Sequence, residues 1–376
     1  MAPLTISIII PVYNAEKYLQ KCLSAIVSQT YKNWEALVID NGSSDKSAQI
    51  IREFASKDSR IKLFFQTEIK GAAACRNVGL ANASGKYLMF CDADDWYQPK
   101  MCEKMVAAIE KSGADLAMCD CNQIILGGSD KHRLPGLAYN KITMLGALAM
   151  DNGIRSKMNV VVWNKIFKKS IVVQNKIIFP AGCECEDALF VREYVCVAKK
   201  YFGIRDKLYN YIYAPGSIMD KMYTMKSANK KYDMAVVTDL LAQFLAERGL
   251  LRDRMDFLRQ AVEDSLGYMV PFAYSDKEII KCFELVENLM SKYGIIPWSD
   301  ILAHIRIGDY NIAMLAVKER MQPSYARAKG NFIFKRIDDD GIKIFGIPIA
   351  KKTYYYDGAT LRIFGLFRHR IDFNKK

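Results

Sequence analysis

The feature that most limits what this chain can fold into is a rhythm near its amino terminus, where short β-branched runs alternate with amphipathic helical patterns. Runs at residues 4–12, 34–39, 61–65 and 86–90 are followed by helical segments at 15–29, 45–57, 71–81 and 99–111. Repeated strand-then-helix units predict an α/β fold, a parallel sheet with helices on both faces. In such sheets ligands bind beyond the carboxyl ends of the strands. Unusual polar residues gather there: Pro11-Val12-Tyr13-Asn14 after the first run, Asp40-Asn41-Gly42-Ser43-Ser44-Asp45 after the second, and Asp92-Ala93-Asp94-Asp95 after the fourth. Three loops are thus expected to address one site.

Further along, an apolar segment at 115–126, a strand near 160–167 and a helix at 186–198 read as a continuation of the same domain. From 226 to 320 apolar residues recur at three and four spacing, through Met234, Val237, Leu241 and Phe244 and again through Ile279, Phe283, Val286 and Leu289, which predicts a helical domain. The tail returns to β-type composition. It carries an internal echo, Lys343-Ile344-Phe345-Gly346-Ile347 against Arg362-Ile363-Phe364-Gly365-Leu366, and is expected to form a hairpin. The expected division is therefore 1–222, 223–329 and 330–376.

No apolar run approaches the roughly 18 residues that a membrane-spanning helix needs. The amino terminus lacks the basic region, apolar stretch and small-residue cleavage site of a secretory signal, so the expected location is cytoplasmic. Cys119/Cys121 and Cys183/Cys185 have one intervening residue, too few for a zinc knuckle, and the cysteines are expected to be reduced structural thiols. A net charge of +13 would suit nucleic acid, anionic lipid or a phosphorylated substrate. Lacking an arginine-rich arm and a recognisable nucleic-acid module, the chain is not expected to bind nucleic acid.

Asp92 and Asp94, on a turn after the apolar strand, can both reach a divalent cation bridging a diphosphate, because Mg2+ and Mn2+ prefer carboxylate, phosphate and water oxygens. The competing reading is a solvated acidic turn that caps the next helix. Asp40 can accept from a uracil imide or a ribose hydroxyl, while Gly42 permits the tight turn and Ser43, Ser44 or Asp45 can cap a helix. Pro11 and Tyr13 offer a rigid backbone and an aromatic face, although a Tyr after a strand more often just packs. Gly71-Ala72-Ala73-Ala74 lets a ligand approach backbone closely, with Arg76 free to meet a base or a diphosphate. Glu186 and Asp187 open an apolar helix whose dipole favours negative charge; in the functional reading Asp187 is a general base.

Together these motifs, with Trp163-Asn164-Lys165-Ile166-Phe167, resemble the bacterial family 2 glycosyltransferases over residues 4–220. The resemblance implies a GT-A catalytic domain at 1–222, a nucleotide-sugar donor, most often a UDP-sugar, Mn2+ or Mg2+ as cofactor, and inversion at the anomeric carbon. By position, Pro11, Tyr13, Asn14, Asp40, Gly42, Ser43 and Arg76 would serve the nucleotide, Asp92 the ribose or metal with Ala93 beside it, Asp94 the metal, and Asp187 with Glu186 the catalysis. Trp163, Asn164 and Lys165 would lie near the donor sugar or the acceptor, and Ser217 in a loop over the diphosphate. Asn41 stands where Asp is frequent, and Ala74-Cys75 replaces a commoner small pair; neither removes a group that the chemistry needs.

The implied setting is surface polysaccharide assembly, with a glycan or lipid-linked glycan as acceptor. Lys351-Lys352-Thr353-Tyr354-Tyr355-Tyr356 and Arg362 to Arg368 mix aromatic and cationic groups suited to an anionic leaflet, so a peripheral position on the inner membrane face is expected. Two alternatives remain at this point: a sugar nucleotidyltransferase, which would need a glycine-rich triphosphate loop where this chain has Pro-Val-Tyr-Asn, and a non-catalytic scaffold that retains the acidic residues.

Overall fold

In the computed structural model the described residues are 5–66, 71–125, 145–183, 185–213, 232–270, 273, 275–297 and 299–320, with the backbone of 337–338, 341–344, 347–355, 358–363 and 367–372. They belong to two units, Met1–Ala316 and Val317–Lys376. The domain boundaries expected after 222 and 329 lie outside the described residues.

The alternation is realised as β1 (Ile6–Val12), α1 (Glu16–Val27), β2 (Trp34–Asp40), α2 (Ser47–Lys57), β3 (Ile61–Phe65), α3 (Ala72–Asn82), β4 (Tyr87–Phe90), a short β5 (Trp96–Tyr97) and α4 (Met101–Ser112). Then follow β6 (Leu116–Ile125), β7 (Gly146–Ala149), α5 (Asn152–Ser156), β8 (Lys165–Lys168), α6 (Lys169–Gln174), α7 (Glu186–Val197) and β9 (Lys200–Tyr213). Among the described residues the sheet runs β3-β2-β1-β4-β8-β6-β9-β5, with β7 also on β9. β3, β2, β1 and β4 are parallel, and their register sets Val12 beside Asp40, Asp40 beside Phe65 and Ile9 beside Phe90.

The sheet is mixed, which corrects the expectation of a parallel one: β8 runs antiparallel to both β4 and β6. A parallel neighbour requires a long crossover, usually helical, whereas an antiparallel strand does not. The strand expected at 160–167 starts only at Lys165. Before it the chain turns, with the Lys165 N–H donating to the Val162 carbonyl at 3.3 Å and its ammonium to the Val161 carbonyl at 2.6 Å.

Strand pleating divides the core between two faces. Ile6, Ile8, Ile10 and Val12 join Leu19, Leu23 and Ile26 of α1 and Met101, Met105 and Ile109 of α4 in one cluster. Ile9 points the other way, toward α3, where a Cβ on Gly79 would lie 2.4 Å from Ile9 Cγ2. On that face Phe90, Phe167, Phe179 and Phe190 form a cluster, with Phe179 stacked on Phe190 at 4.2 Å and Phe90 edge-on to both. Each such ring buried contributes about 1.5–3 kcal/mol. The cluster pins α7 to the end of β4, and Asn77 of α3 grips Phe179 through both backbone groups, at 2.8 and 2.9 Å.

α8 (Asp233–Glu247), α9 (Met255–Met269), α10 (Asp276–Tyr293), α11 (Asp300–Arg306) and α12 (Tyr310–Arg320) supply the expected helical region. Arg192 of α7 reaches Asp264 of α9 at 2.7 Å, and Thr238 and Ser265 share a buried hydrogen bond of 2.7 Å between α8 and α9. In the second unit the tail is a five-stranded antiparallel sheet rather than one hairpin: β10 (Ile337–Asp338), β11 (Gly341–Ile344), β12 (Ile347–Tyr355), β13 (Gly358–Ile363) and β14 (Phe367–Asp372). The repeated Ile-Phe-Gly motif straddles the junctions β11–β12 and β13–β14, which explains the echo. None of the ten cysteines, all among the described residues, is in a disulfide and most are buried, as expected of structural thiols.

The strand β4 is held to its neighbours by a buried polar knot. Glu35, 2% exposed, accepts from Ser7 Oγ at 2.6 Å, from the Ser84 N–H and Oγ at 2.7 Å, and from Lys62 at 2.7 Å, while the Gly85 N–H donates to Ser7 Oγ at 2.8 Å. Burial alone would raise the Glu35 carboxyl, but these partners outweigh it and hold the pKa at about 2. A Cβ on Gly85 would sit 2.6 Å from the Ile6 carbonyl carbon and the Ser7 nitrogen, backbone that cannot yield. Gly85→Ala is expected to cost about 1–3 kcal/mol, read as a lower denaturant midpoint with an unchanged slope.

Candidate active site

The loops after β1 and β2 are bound to each other. The Asn14 N–H donates to Ser43 Oγ at 3.0 Å and its Oδ1 accepts from the Ser44 N–H at 2.9 Å, with Asn14 at a φ of +46°. The Ala15 N–H donates to Ser47 Oγ, the Glu16 N–H to Asp45 Oδ2, and the Lys46 N–H to Glu16 Oε2, at 2.9–3.0 Å. Asn14 and Ser43 therefore spend these groups on fixing the loop pair. Gly42 turns at a φ of +75°, where a Cβ would be strained. Pro11 lies within β1, next to the strand end.

Tyr13 is left facing outward from this frame, while Asp40 is buried beneath it. Asp40 is 2% exposed; its Oδ2 accepts from the Ser43 N–H at 3.3 Å, whereas its buried Oδ1 has no partner. A buried unsatisfied carboxylate oxygen costs free energy, so this position favours a ligand that donates to it. Tyr13 presents 60% of its surface to solvent, the most exposed large aromatic of the site.

At the end of β4, Asp92, Ala93, Asp94 and Asp95 diverge. Asp95 turns inward and accepts from Tyr209 Oη and the Ile212 N–H, both at 2.7 Å, which ties the acidic turn to β9. Asp92 and Asp94 point out, with buried Ala93 between them. Burial and the neighbouring Asp92 push the Asp94 carboxyl up to about 6, against the pull of its own backbone N–H, and no cation among the described residues pairs with it.

Arg76, from the first turns of α3, binds the acidic loops together. Its guanidinium, 4% exposed, meets Asp92 at 2.9 Å through Nη2, and Glu186 at 2.7 Å and Asp187 at 2.9 Å through Nη1. The fork of a guanidinium can serve several carboxylates at once, which an ammonium cannot. Burial pushes the Asp187 carboxyl up to about 7, against the pull of Arg76 and with Glu186 and Asp92 adding to the rise; the Val162 N–H also binds it. About a quarter of the Asp187 side chain, 24%, still meets solvent. A carboxylate that titrates near neutrality and remains reachable has the properties of a general base.

Trp163, Asn164 and Lys165 adjoin the cluster but are buried, 3%, 0% and 0% exposed. Trp163 stacks on Tyr209 at 4.4 Å and on Tyr211 at 5.5 Å. The Asn164 amide donates to the Cys119 carbonyl at 3.0 Å. The Lys165 ammonium, its pKa lowered to about 7 by burial, donates to Asn159, to the Val161 carbonyl at 2.6 Å and to Asn164 Oδ1 at 2.9 Å. The three side chains thus brace the loop that presents the Val162 N–H to Asp187. Ser217 lies outside the described residues.

Among the described residues no three His, Cys, Asp or Glu side chains are arranged to hold a metal by themselves. Asp92 and Asp94 nevertheless suit a cation that takes its other oxygens from a diphosphate and water. Two carboxylates side by side, one of them paired with no cation among the described residues, are poorly matched without one. Tyr209 and Val162 are site-supporting residues that sequence reading missed, since a strand tyrosine and a backbone N–H carry no local signal. Arg76→Met would leave three carboxylates without their cation, a loss of about 3–5 kcal/mol. Carboxyls raised above their ordinary values favour the folded state when protonated and disfavour it as pH climbs past them. The stability deficit of Arg76→Met, measured by denaturant titration, is therefore expected to grow between about pH 5 and about pH 8.

Comparison with known proteins bears on family and fold. The family model described as glycosyl transferase family 2 matches residues 7–172. Glycosyltransferase GlyA of Streptococcus pneumoniae is 31% identical over 319 residues, which is 81% of this chain and 44% of GlyA, so the chain spans less than half of that relative. Glycosyltransferase GlyG of the same organism is 30% identical over 222 residues, 57% of this chain and 72% of GlyG. In fold, the chain is similar to S. aureus TarS 1-349 in complex with UDP-GlcNAc, with a TM-score of 0.69 and 21% identity over 92% of this chain and 98% of that one. With its mixed α/β sheet and the loops at the carboxyl ends of β1, β2 and β4, this chain belongs to glycosyl transferase family 2 and has the GT-A fold.

Proposed function

We propose that this chain is an inverting glycosyltransferase that moves a sugar from a nucleotide diphosphate donor, a UDP-sugar, to a carbohydrate hydroxyl. The observation that carries this reading is the convergence of Asp92, Glu186 and Asp187 on Arg76, which brings a candidate base beside a candidate donor site. The choice of uridine is supported by the unpartnered Asp40 Oδ1, an acceptor suited to an imide N–H, and by a fold neighbour crystallised with UDP-GlcNAc. Exposed Tyr13 offers its ring to the base. Asp94 and Asp92 would hold Mn2+ or Mg2+, which when bound neutralises charge on the departing diphosphate.

Asp187 takes the proton of the acceptor hydroxyl while that oxygen attacks the anomeric carbon. The bond from that carbon to the diphosphate breaks on the opposite face, and its electron pair leaves with the diphosphate. Glu186 and Arg76 position Asp187, and the braced loop of Trp163, Asn164 and Lys165 holds the Val162 N–H against it. The donor sugar, hexosyl or N-acetylhexosaminyl, is set by pocket walls, and the acceptor is a glycan of a bacterial surface polysaccharide.

Asp187→Asn is expected to lower kcat by about 10²–10⁴ while leaving donor binding intact. In the wild type, kcat/KM should rise with pH through about 7 as the Asp187 carboxyl loses its proton. Donor binding is tested by thermal shift with a panel of nucleotides and nucleotide sugars, with and without manganese. Stabilisation by UDP compounds in the wild type but not in Asp94→Ala, and only with metal, is the expected result; no shift under any condition would return the scaffold reading to the front.

A second part of the proposal concerns the tail, which is taken to meet an anionic membrane face where a lipid-linked acceptor would lie. Backbone register sets Lys351 opposite Arg362 and Arg362 opposite Arg368, so three basic positions line up across β12, β13 and β14. Like charges opposite one another are unfavourable unless an anion shares them. No helix among the described residues is long and apolar enough to cross a membrane. Sedimentation with anionic liposomes is expected to fall when residues 331–376 are deleted, and unchanged binding would end this role for the tail.

A further inference from the structure

We propose a second ligand site on this chain, a groove between α5, the carboxyl end of α7 and the segment before α9, that binds a phosphate ester carrying an alkyl chain. The groove has a volume of about 510 Å³, within the range of small-molecule sites. Arg155, Arg254 and Lys199 line it together with the apolar residues Met150, Val197 and Leu250.

Both arginines cap carbonyls in the last turn of α7, and that role leaves part of each guanidinium unspent. Arg155 is 5% exposed and commits Nε to the Val195 carbonyl at 2.9 Å and Nη1 to Asn152 Oδ1 at 3.1 Å. Arg254 directs Nε to the Cys196 carbonyl at 3.2 Å and Nη1 to the Asp253 carbonyl at 3.3 Å. Each guanidinium keeps Nη2 without a hydrogen bond, and neither forms an ion pair with a carboxylate among the described residues. Asp151, the one acid lining the groove, has its Oδ1 engaged by the Ile154 N–H at the start of α5, so the lining is two arginines and a lysine against one carboxylate. Burial and, next, the neighbouring Arg254 both lower the Arg155 pKa, so two like charges face each other at partial desolvation. An anion held between them relieves that repulsion, and guanidinium forks match phosphate oxygens in geometry.

The apolar walls decide what the anion is attached to. A free inorganic ion would use the arginines and leave half-buried Val197 and Leu250 partly facing water, whereas an alkyl chain covers them at roughly 0.8 kcal/mol per buried methylene. The site is distinct from the carboxylate cluster. Asp187 lies in the first turn of α7 and Cys196 in its last, nine residues or about 14 Å of helix rise apart. Binding here does not depend on the sugar-transfer reading, and the two can fail separately.

Titration calorimetry of the full chain with dodecyl phosphate below its micelle concentration tests the site, with dodecyl maltoside and inorganic phosphate as matched probes. The expected result is saturable binding of dodecyl phosphate that is weakened about tenfold or more in Arg254→Met and in Leu250→Glu, with both matched probes at least as much weaker. Arg155 is left unsubstituted because it holds the Val195 carbonyl, and thermal melts identify any variant that has not folded, in which case the other is read. Absence of saturable binding, or binding unchanged in the folded variants, overturns the site. Inorganic phosphate binding as tightly as dodecyl phosphate would remove the alkyl chain from the proposal, and equal binding of dodecyl maltoside would remove the anion; either result overturns it.

Discussion

A buried guanidinium surrounded by three carboxylates is the interaction on which the rest of the site depends. Arg76 comes from α3, Asp92 follows β4, and Glu186 and Asp187 come from the first turn of α7, so one side chain joins two neighbouring segments to a third more than a hundred residues further along the sequence. Its charge must be compensated because it is almost fully buried, and theirs must be compensated because they crowd one another. The result is a carboxyl, that of Asp187, whose proton affinity is raised to near neutrality. Without Arg76 the same carboxylates would repel one another, and without them Arg76 would be an unpaired buried cation.

Apolar packing makes that meeting possible. The faces of β1 and β4 divide the core, and the ring cluster of Phe90, Phe167, Phe179 and Phe190 seats α7 at the end of β4, while Gly79 lets α3 lie directly on Ile9. Polar staples then set the loops. Asn14 with Ser43, Asp95 with Tyr209, and Lys165 with Val161 each spend hydrogen bonds on position rather than on a ligand. What remains uncommitted is a short set: exposed Tyr13, one buried oxygen of Asp40, Asp94, and parts of Asp92 and Asp187.

This division alters the meaning of several residues whose identity alone suggested ligand contact. Trp163, Asn164 and Lys165 form a conspicuous polar-aromatic string, yet all three are buried and support the chain beside Asp187. Asp95 looks like an extension of Asp92-Ala93-Asp94, but the turn through Ala93 and Asp94 sends it inward to β9. Arg76, expected to serve the nucleotide, pairs with Asp92, Glu186 and Asp187.

The sequence by itself determined the alternation of strand and helix through β4 and α4, the placement of polar loops at the carboxyl ends of β1, β2 and β4, and the acidic start of α7. These follow from local period, turn residues and helix-end chemistry, all of which act over a few positions. Only the tertiary structure decided that β8 enters the sheet antiparallel, that the tail is a five-stranded sheet, and that Arg76 closes the carboxylate cluster. It also decided which oxygen of Asp40 is left unpaired and that Arg155 and Arg254 share a groove. Those outcomes depend on contacts between residues far apart in the chain, where burial and the nearness of other charges, rather than residue type, set what a side chain can do.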